Sequence, residues 1–199
     1  MTLYRRRLPH QYETTHPVFL TWRLAGSLPK NRPFPSATLT SGESFAAMDR
    51  LLDNQQTGPY YLNQPAIADQ VVEAIHHNAD VLRHHTLHAF AVMPNHVHIL
   101  LTPAVPLPSL IKSLRGITAK RANAILNRTG VSFRQEDFFD REVRNQKQFQ
   151  RIQLYIEANA VRAGLAQEPN PYHWSSATRG PAPSIPPTGM SIIPPTPGI

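Results

Sequence analysis

The chain has 199 residues, with 20 Lys and Arg against 13 Asp and Glu, a formal charge of +7 and an isoelectric point near 10.1. It has no cysteine, which excludes disulfides and thiolate metal sites and leaves His, carboxylate and amide groups as possible metal ligands. The N-terminal stretch MTLYRRRLPHQYETTHPVF has no apolar core of the kind a secretory signal needs, and no apolar run is long enough to cross a bilayer, so a soluble, intracellular protein is expected.

A charge of this sign favours a polyanionic partner, through long-range attraction and counterion release. A basic protein that binds nothing would share it. In chain order, VFLTWRLA (18–25) reads as a strand and ESFAAMDRLLDN (43–54) as a short helix. Stretches 27–42 and 55–65 are rich in Pro, Gly, Ser and Asn and read as loops. AIADQVVEAIHHNADVLRHH (66–85) has apolar residues at 67, 71, 72, 75, 79 and 82, the spacing of a helix. TLHAFAVMP and HVHILLTP are two strands split by Pro94 and Asn95, a turn pair that makes them a hairpin. LPSLIKSLRGITAKRANAILNR (107–128) is a basic amphipathic helix with Pro108 in its first turn. VSFRQEDFFDREVR (131–144) reads as a bent strand region, and QKQFQRIQLYIEANAVRAGLA (146–166) as a last helix ending near Gly164.

The order β-α-α-β-β-α-β-α predicts an α+β sandwich of the ferredoxin-like or RRM-like kind, with a central, mainly antiparallel sheet of four to five strands. From Arg179 on, 21 residues hold seven prolines and three glycines, and no further charge. Residues 1–178 are therefore expected to form one domain with a basic N-terminal arm, and 179–199 a disordered tail.

The stretch MPNHVHILL (93–101) carries the first chemical signal. On a strand, His96, His98 and Leu100 share one face and Val97, Ile99 and Leu101 the other. Two imidazoles at this spacing reach one divalent metal if a third ligand arrives from elsewhere. Read from this spacing alone, two ordinary sheet histidines with polar neighbours are the commoner case. The adjacent pairs His76–His77 and His84–His85 diverge on a helix and read as surface groups.

The second signal is LYIEANAVRAGL (154–165). Phe149, Ile152, Ile156 and Ala160 give the packing face of a helix, while Tyr155 and Asn159 stand one turn apart on an adjoining face and Arg162 continues that line. Two readings are open. Tyr155 is a half-buried tyrosine bonded to local polar groups, or it is a nucleophilic phenol beside a metal ligand.

Taken together, VMPNHVHILL and YIEANAVRAGL some 60 residues later resemble the single-tyrosine HUH transposases of the IS200 type, nearest in pattern to the REP-associated tyrosine transposases. The blocks TWRLAGSLP, LRGITAKRANAILNRTG, FRQEDFFDREVR and YHWSSA resemble that branch too, so the likeness runs from about Val18 to Ala177. Three positions depart from the pattern. Ala160 stands where proline is usual, Arg134 where tryptophan is, and Phe139 where tyrosine is.

The resemblance implies that His96, His98 and Asn159 hold Mg²⁺ or Mn²⁺ while Tyr155 attacks the scissile phosphate. The products would be a 5′-phosphotyrosine and a free 3′-OH, with strands rejoined by the reverse step. Ligating histidines must be neutral, so activity is expected to fall in mild acid. The implied partner is single-stranded DNA carrying hairpins, the palindromic repeats of the REP-associated branch. Its contacts are expected from Arg5, Arg6 and Arg7 of the basic arm, from Lys112, Arg115, Lys120, Arg121 and Arg128 of the helix 107–128, and from Arg162. No membrane is implied; the expected place is the bacterial cytoplasm, on the nucleoid when bound to DNA. Members of the family exchange the tyrosine helix within a dimer or work as monomers, which leaves both open. The competing readings are a hairpin-binding relative that no longer cuts and an unrelated His-x-His metal hydrolase. The second would want a later His and a nearby Glu, a pattern that does not follow His98.

Overall fold

In a computed structural model of the protein, residues 16–28, 41–54, 58–128, 130–134, 138–169 and 172–179 are described. The basic arm, Arg5 to Arg7, and the proline-rich segment from residue 180 lie outside them.

Four strands form the sheet: β1 (Val18–Arg23), β2 (His85–Val92), β3 (His96–Pro103) and β4 (Phe139–Glu142). Their order is β2-β3-β1-β4 and every pairing is antiparallel, the α+β arrangement expected from the element order. The helices are α1 (Ser41–Asp53), α2 (Pro65–His76), α3 (Leu107–Ile125), α4 (Gln146–Glu157) and the single turn α5 (Asn159–Arg162).

The alternation of β3 decides what covers each face. Val97, Ile99 and Leu101 pack with Ile67, Val71 and Ile75 of α2 and Leu107, Leu110 and Leu114 of α3. Each fully buried side chain of this size contributes about 1.5–3 kcal/mol. On the opposite face Leu100 packs with Phe19, Phe149 and Ile156, and His96 and His98 lie on this side. The tyrosine helix thus covers the histidine face from within the same chain. Its start is fixed by Asn145, whose side chain accepts from the Gln148 amide at 2.9 Å, while Gln148 Oε1 accepts from the Arg144 amide at 3.0 Å. The helix loosens at Ala158 (φ −84°, ψ −2°) before α5, and it stops where Gly164 adopts a φ of +70°.

The block YHWSSA has a structural use. Val92 donates to the Trp174 carbonyl at 2.8 Å, Phe90 donates to Ser176 Oγ at 3.0 Å, and Tyr172 donates to the Val92 carbonyl at 2.8 Å. The segment covers the free edge of β2, which would otherwise present unpaired amides.

The structure corrects several boundaries. The helix expected over 66–85 ends at His76 and passes into a π-type turn, 77–81. Among the described residues of the region 131–144, a strand occupies 139–142 and an isolated bridge joins Arg134 to Leu24. Arg134 uses the space of an aromatic residue by stacking 4.0 Å over the Trp22 ring. His85, read as a surface group, is 3% exposed because it begins β2, and neither ring nitrogen has a hydrogen-bond partner among the described residues.

Burial, and then the neighbouring His84 and His88, push the His85 pKa down to about 4, with Asp80 opposing. In the unfolded chain the pKa is ~6.5. Between these values the unfolded state binds more protons, so this contribution is intact above ~6.5 and is lost as the pH falls towards 4. His88, also pushed down to about 4 by burial, acts in the same direction. Asp53, pushed up to about 6 by burial and then by Asp49, acts oppositely. His85→Leu should therefore remove about 2 kcal/mol of the stability difference between pH 7 and pH 5. Denaturant melts at the two pH values test this, and equal differences in both proteins would refute it.

Candidate metal and tyrosine site

His96 and His98 are both fully buried, with their Nε2 atoms 3.1 Å apart. Each is oriented from behind. Thr21, directly opposite His98 in β1, places Oγ1 2.7 Å from His98 Nδ1. Asn95 places Oδ1 2.7 Å from His96 Nδ1 and donates from Nδ2 to the Leu52 carbonyl at 3.0 Å. That second bond fixes which end of the Asn95 amide is the oxygen. His96 must then carry its proton on Nδ1 and turn the Nε2 lone pair towards His98.

A third element meets the pair. Helix α1 brings Asp49, whose side chain is fully buried, with Oδ1 3.1 Å from His98 Nε2 and 3.6 Å from His96 Nε2. Asp53, one turn on, lies 3.8 Å from His96 Nε2. Phe45, one turn back, packs against Phe19, Phe139 and the His98 ring. Tyr155 donates a hydrogen bond to Asp49 Oδ2. Arg162 lies 4.4 Å over the Tyr155 ring and sends Nη2 to 3.6 Å from Asp53 and 3.9 Å from Asp49. Asn159, one turn after Tyr155, is fully buried, and neither atom of its carboxamide has a partner.

The electrostatics follow from this crowding. Burial disfavours the charge on Asp49, but His98, then His96 and Arg162, outweigh it and hold the carboxyl below the usual range. Burial, and next His98, push His96 down to about 3, with Asp49 opposing. His96 therefore keeps its lone pair through mild acid, and an activity loss there does not originate in it.

The donors fit a divalent cation. One ligand atom from each of Asp49, His96 and His98 lies within 4.8 Å of the others. Among the described residues, the buried oxygens Asp53 Oδ1 and Asn159 Oδ1 have no hydrogen-bond donor, while Asp49 Oδ1 faces the two histidine Nε2 atoms. Orphaned acceptors are costly, and a cation beside the imidazoles would meet the two α1 carboxylates, which both approach His96 Nε2. The hydrogen bonds behind both imidazoles are those that hold ligating histidines in place.

The cations expected on α3 lie elsewhere. Because α3 packs on the Val97 face, its basic side is across the sheet from Tyr155. Lys112 and Arg115 border a groove of about 570 Å³, with Phe138 on its far side, and Lys112 and Lys120 border the adjoining one. Arg121 pairs with Glu73 at 2.9 Å and with Gln70 at 3.1 Å, and Arg128 lies over the Tyr61 ring. Trp22 is 7% exposed, a core position.

Sequence reasoning missed Asp49, Asp53, Asn95 and Thr21. A signal for the acids was available. Phe45, Asp49 and Asp53 recur at four-residue steps, and Leu52 flanks the same line, so two carboxylates interrupt the apolar stripe of α1. Charges there want partners.

Comparison with known proteins gives the following. Residues 60–159 match a family model described as IS200-like transposase. A solved REP-associated tyrosine transposase bound to a REP hairpin is 17% identical, with a TM-score of 0.55 over 90% of this chain and 84% of that one. At that identity the likeness is one of fold. A candidate transposase of Deinococcus radiodurans R1 is 19% identical, with a TM-score of 0.41 over 77% of this chain and 97% of that one. No curated protein matches the chain. Among the described residues, no helix is long and apolar enough to cross a membrane.

Proposed function

The chain belongs to the IS200-like transposase family, and from that premise we propose that it is a metal-dependent endonuclease and strand transferase acting on single-stranded DNA beside hairpins, through a 5′-phosphotyrosine intermediate. The observation that carries this reading is Tyr155 at the rim of a buried His–His–Asp group, bonded to its carboxylate. A half-buried tyrosine that only packs does not need a neighbour with unpaired metal-ligand atoms.

The residues take these roles. His96, His98 and Asp49 would hold the ion, with the Asn159 carboxamide as the further ligand that the family resemblance implies. Two imidazoles in the set favour Mn²⁺ over Mg²⁺. An ion held there would supply charge withdrawal at the scissile phosphate, which would offset the weak nucleophilicity of a phenol. Tyr155 attacks, and the covalent link conserves the bond energy for a later 3′-OH. Arg162 sits over the Tyr155 ring, where it stabilises negative charge developing on the phenol oxygen.

Lys112, Arg115 and Lys120 contact phosphates. They stand across the sheet from Tyr155, so a strand touching both sets rounds the β4 edge. Phe138 borders the α3 groove there, and Phe139 packs 4.4 Å from Phe45 beside the tyrosine. The opposite edge is already covered by residues 172–176.

The test is a denaturing gel of the protein with Mn²⁺ or Mg²⁺ and hairpin oligonucleotides from the flanks of its own gene. A protein–DNA adduct is expected, lost in Tyr155→Phe and on chelation. Hairpin-specific retention on a native gel without an adduct would instead identify a binding protein that does not cut.

A further inference from the structure

Asp49 has two oxygens, and the fold gives them different neighbours. Oδ1 faces the two histidine Nε2 atoms, at 3.1 and 3.6 Å. Oδ2 accepts the hydrogen bond from the Tyr155 hydroxyl. The carboxylate therefore bridges the ion site and the nucleophile, and it is held in that pose on three sides. Phe45, one turn earlier on α1, lies 6.1 Å from the Tyr155 ring and 6.0 Å from the His98 ring. Arg162 lies over the phenol ring and reaches both α1 carboxylates. The Leu52 carbonyl ties the end of α1 to Asn95 at the head of β3.

A phenol attacking phosphorus must lose its proton as the new bond forms, and the acceptor must already be within hydrogen-bond reach. Among the described residues, Asp49 is the carboxylate bonded to that hydroxyl. Glu157, two residues along α4, accepts instead from Gln153 Nε2 at 3.1 Å.

We propose that Asp49 positions Tyr155 for attack and accepts its phenolic proton, an inference that rests on the strand-cleavage reading above. In the step, the Tyr155 oxygen forms a bond to phosphorus and the bond from phosphorus to O3′ breaks. The electron pair stays on O3′. One proton passes from the phenol to Asp49 Oδ2, and one from water reaches O3′, so the count balances. In the reverse step Asp49 returns its proton to the departing phenol.

Three readouts on the full-length protein test this. The first needs no DNA. Fluorotyrosine placed at position 155 gives a ¹⁹F resonance that should move in Asp49→Asn and respond to Mg²⁺ less than in the wild-type background. The second is adduct formation with the hairpins above, which should fall at least 100-fold in Asp49→Asn. Mn²⁺ affinity of the variant is read by calorimetry, and adduct formation is compared at a saturating Mn²⁺ concentration for each protein, so that a weakened ion site and a lost proton acceptor are told apart. The third is rescue. A difluorinated tyrosine at 155, whose phenol ionises more readily, should recover adduct formation at least 10-fold in Asp49→Asn and not in the wild-type background. A purely structural or purely metal-holding role would not produce that recovery. Should Asp49→Asn fail to fold, Asp49→Ser takes its place in all three. An unmoved resonance, wild-type adduct rates in the variant, or no recovery with the fluorinated residue would each overturn the proposal. If wild-type protein forms no adduct while the resonance moves as expected, it is the cleavage reading that fails, and the proton-acceptor role with it.

Discussion

Alanine at His96 or His98 is expected to weaken Mn²⁺ binding at least about 100-fold and to abolish the stabilisation that the ion gives the wild-type protein. The two imidazoles supply the nitrogen ligands of the cluster. The remaining oxygens are too few and too constrained to hold the ion alone. In the wild-type protein, Mn²⁺ at 100 times its dissociation constant should add about 2.7 kcal/mol of stability, which raises Tm by roughly 5–10 °C in a domain of this size. Neither variant should show the rise. Tyr155→Phe should show it in full, since that change leaves the histidines and Asp49 in place. An equal rise in His96→Ala would mean that the ion binds elsewhere, and the buried acceptors of the site would need another explanation. The two variants should also differ without metal. His98 packs 5.7–6.0 Å from the rings of Phe19, Phe45 and Tyr155, so His98→Ala opens a cavity among aromatics. His96 has a smaller share of that packing, and its removal should cost less.

How far these groups were legible in the sequence depends on the range of the interaction. The alternation of β3 is local, and it gave the two faces of the sheet correctly, with Val97, Ile99 and Leu101 on the one that packs against α2 and α3. The four-residue step from Tyr155 to Asn159 is local too, but the chain loosens between them at Ala158 and the two residues fall in separate helices. The sequence could not reveal what lands on the histidine face. Helix α1 is joined to the site by tertiary contacts from Asp49, Asp53 and Leu52 to β3, 43 residues or more away. Periodicity says that a stripe is buried but not against what. The same limit explains His85: its apolar context continued the helical pattern, while its burial comes from pairing with Pro103 across the hairpin. It also explains α3. Its charges were plain in the sequence, but their place across the sheet from Tyr155 follows from which face of β3 the helix covers.

Asn95 shows how closely the two parts of the site are tied, and its replacement by alanine should damage both. The side chain is 1% exposed and satisfies two buried groups at once, the Nδ1–H of His96 at 2.7 Å and the carbonyl of Leu52 at 3.0 Å. Alanine leaves both without a partner, a cost of about 3 kcal/mol. It also frees the His96 ring to change tautomer, which should lower Mn²⁺ affinity by roughly 10–100-fold. The two effects are separable. Asn95→Asp keeps an acceptor for His96 Nδ1 but removes the donor to Leu52. Its Mn²⁺ affinity should therefore recover relative to Asn95→Ala, while the anchoring of α1, and with it the bond from Tyr155 to Asp49, should not. Chemical denaturation, Mn²⁺ calorimetry and the ¹⁹F resonance of fluorotyrosine at 155 read the three quantities independently. Wild-type Mn²⁺ affinity in Asn95→Ala would show that the histidine lone pairs are ordered without the tautomer lock. Wild-type ¹⁹F resonance in the same variant would show that α1 stays on the site by the packing of Phe45 and Leu52 alone.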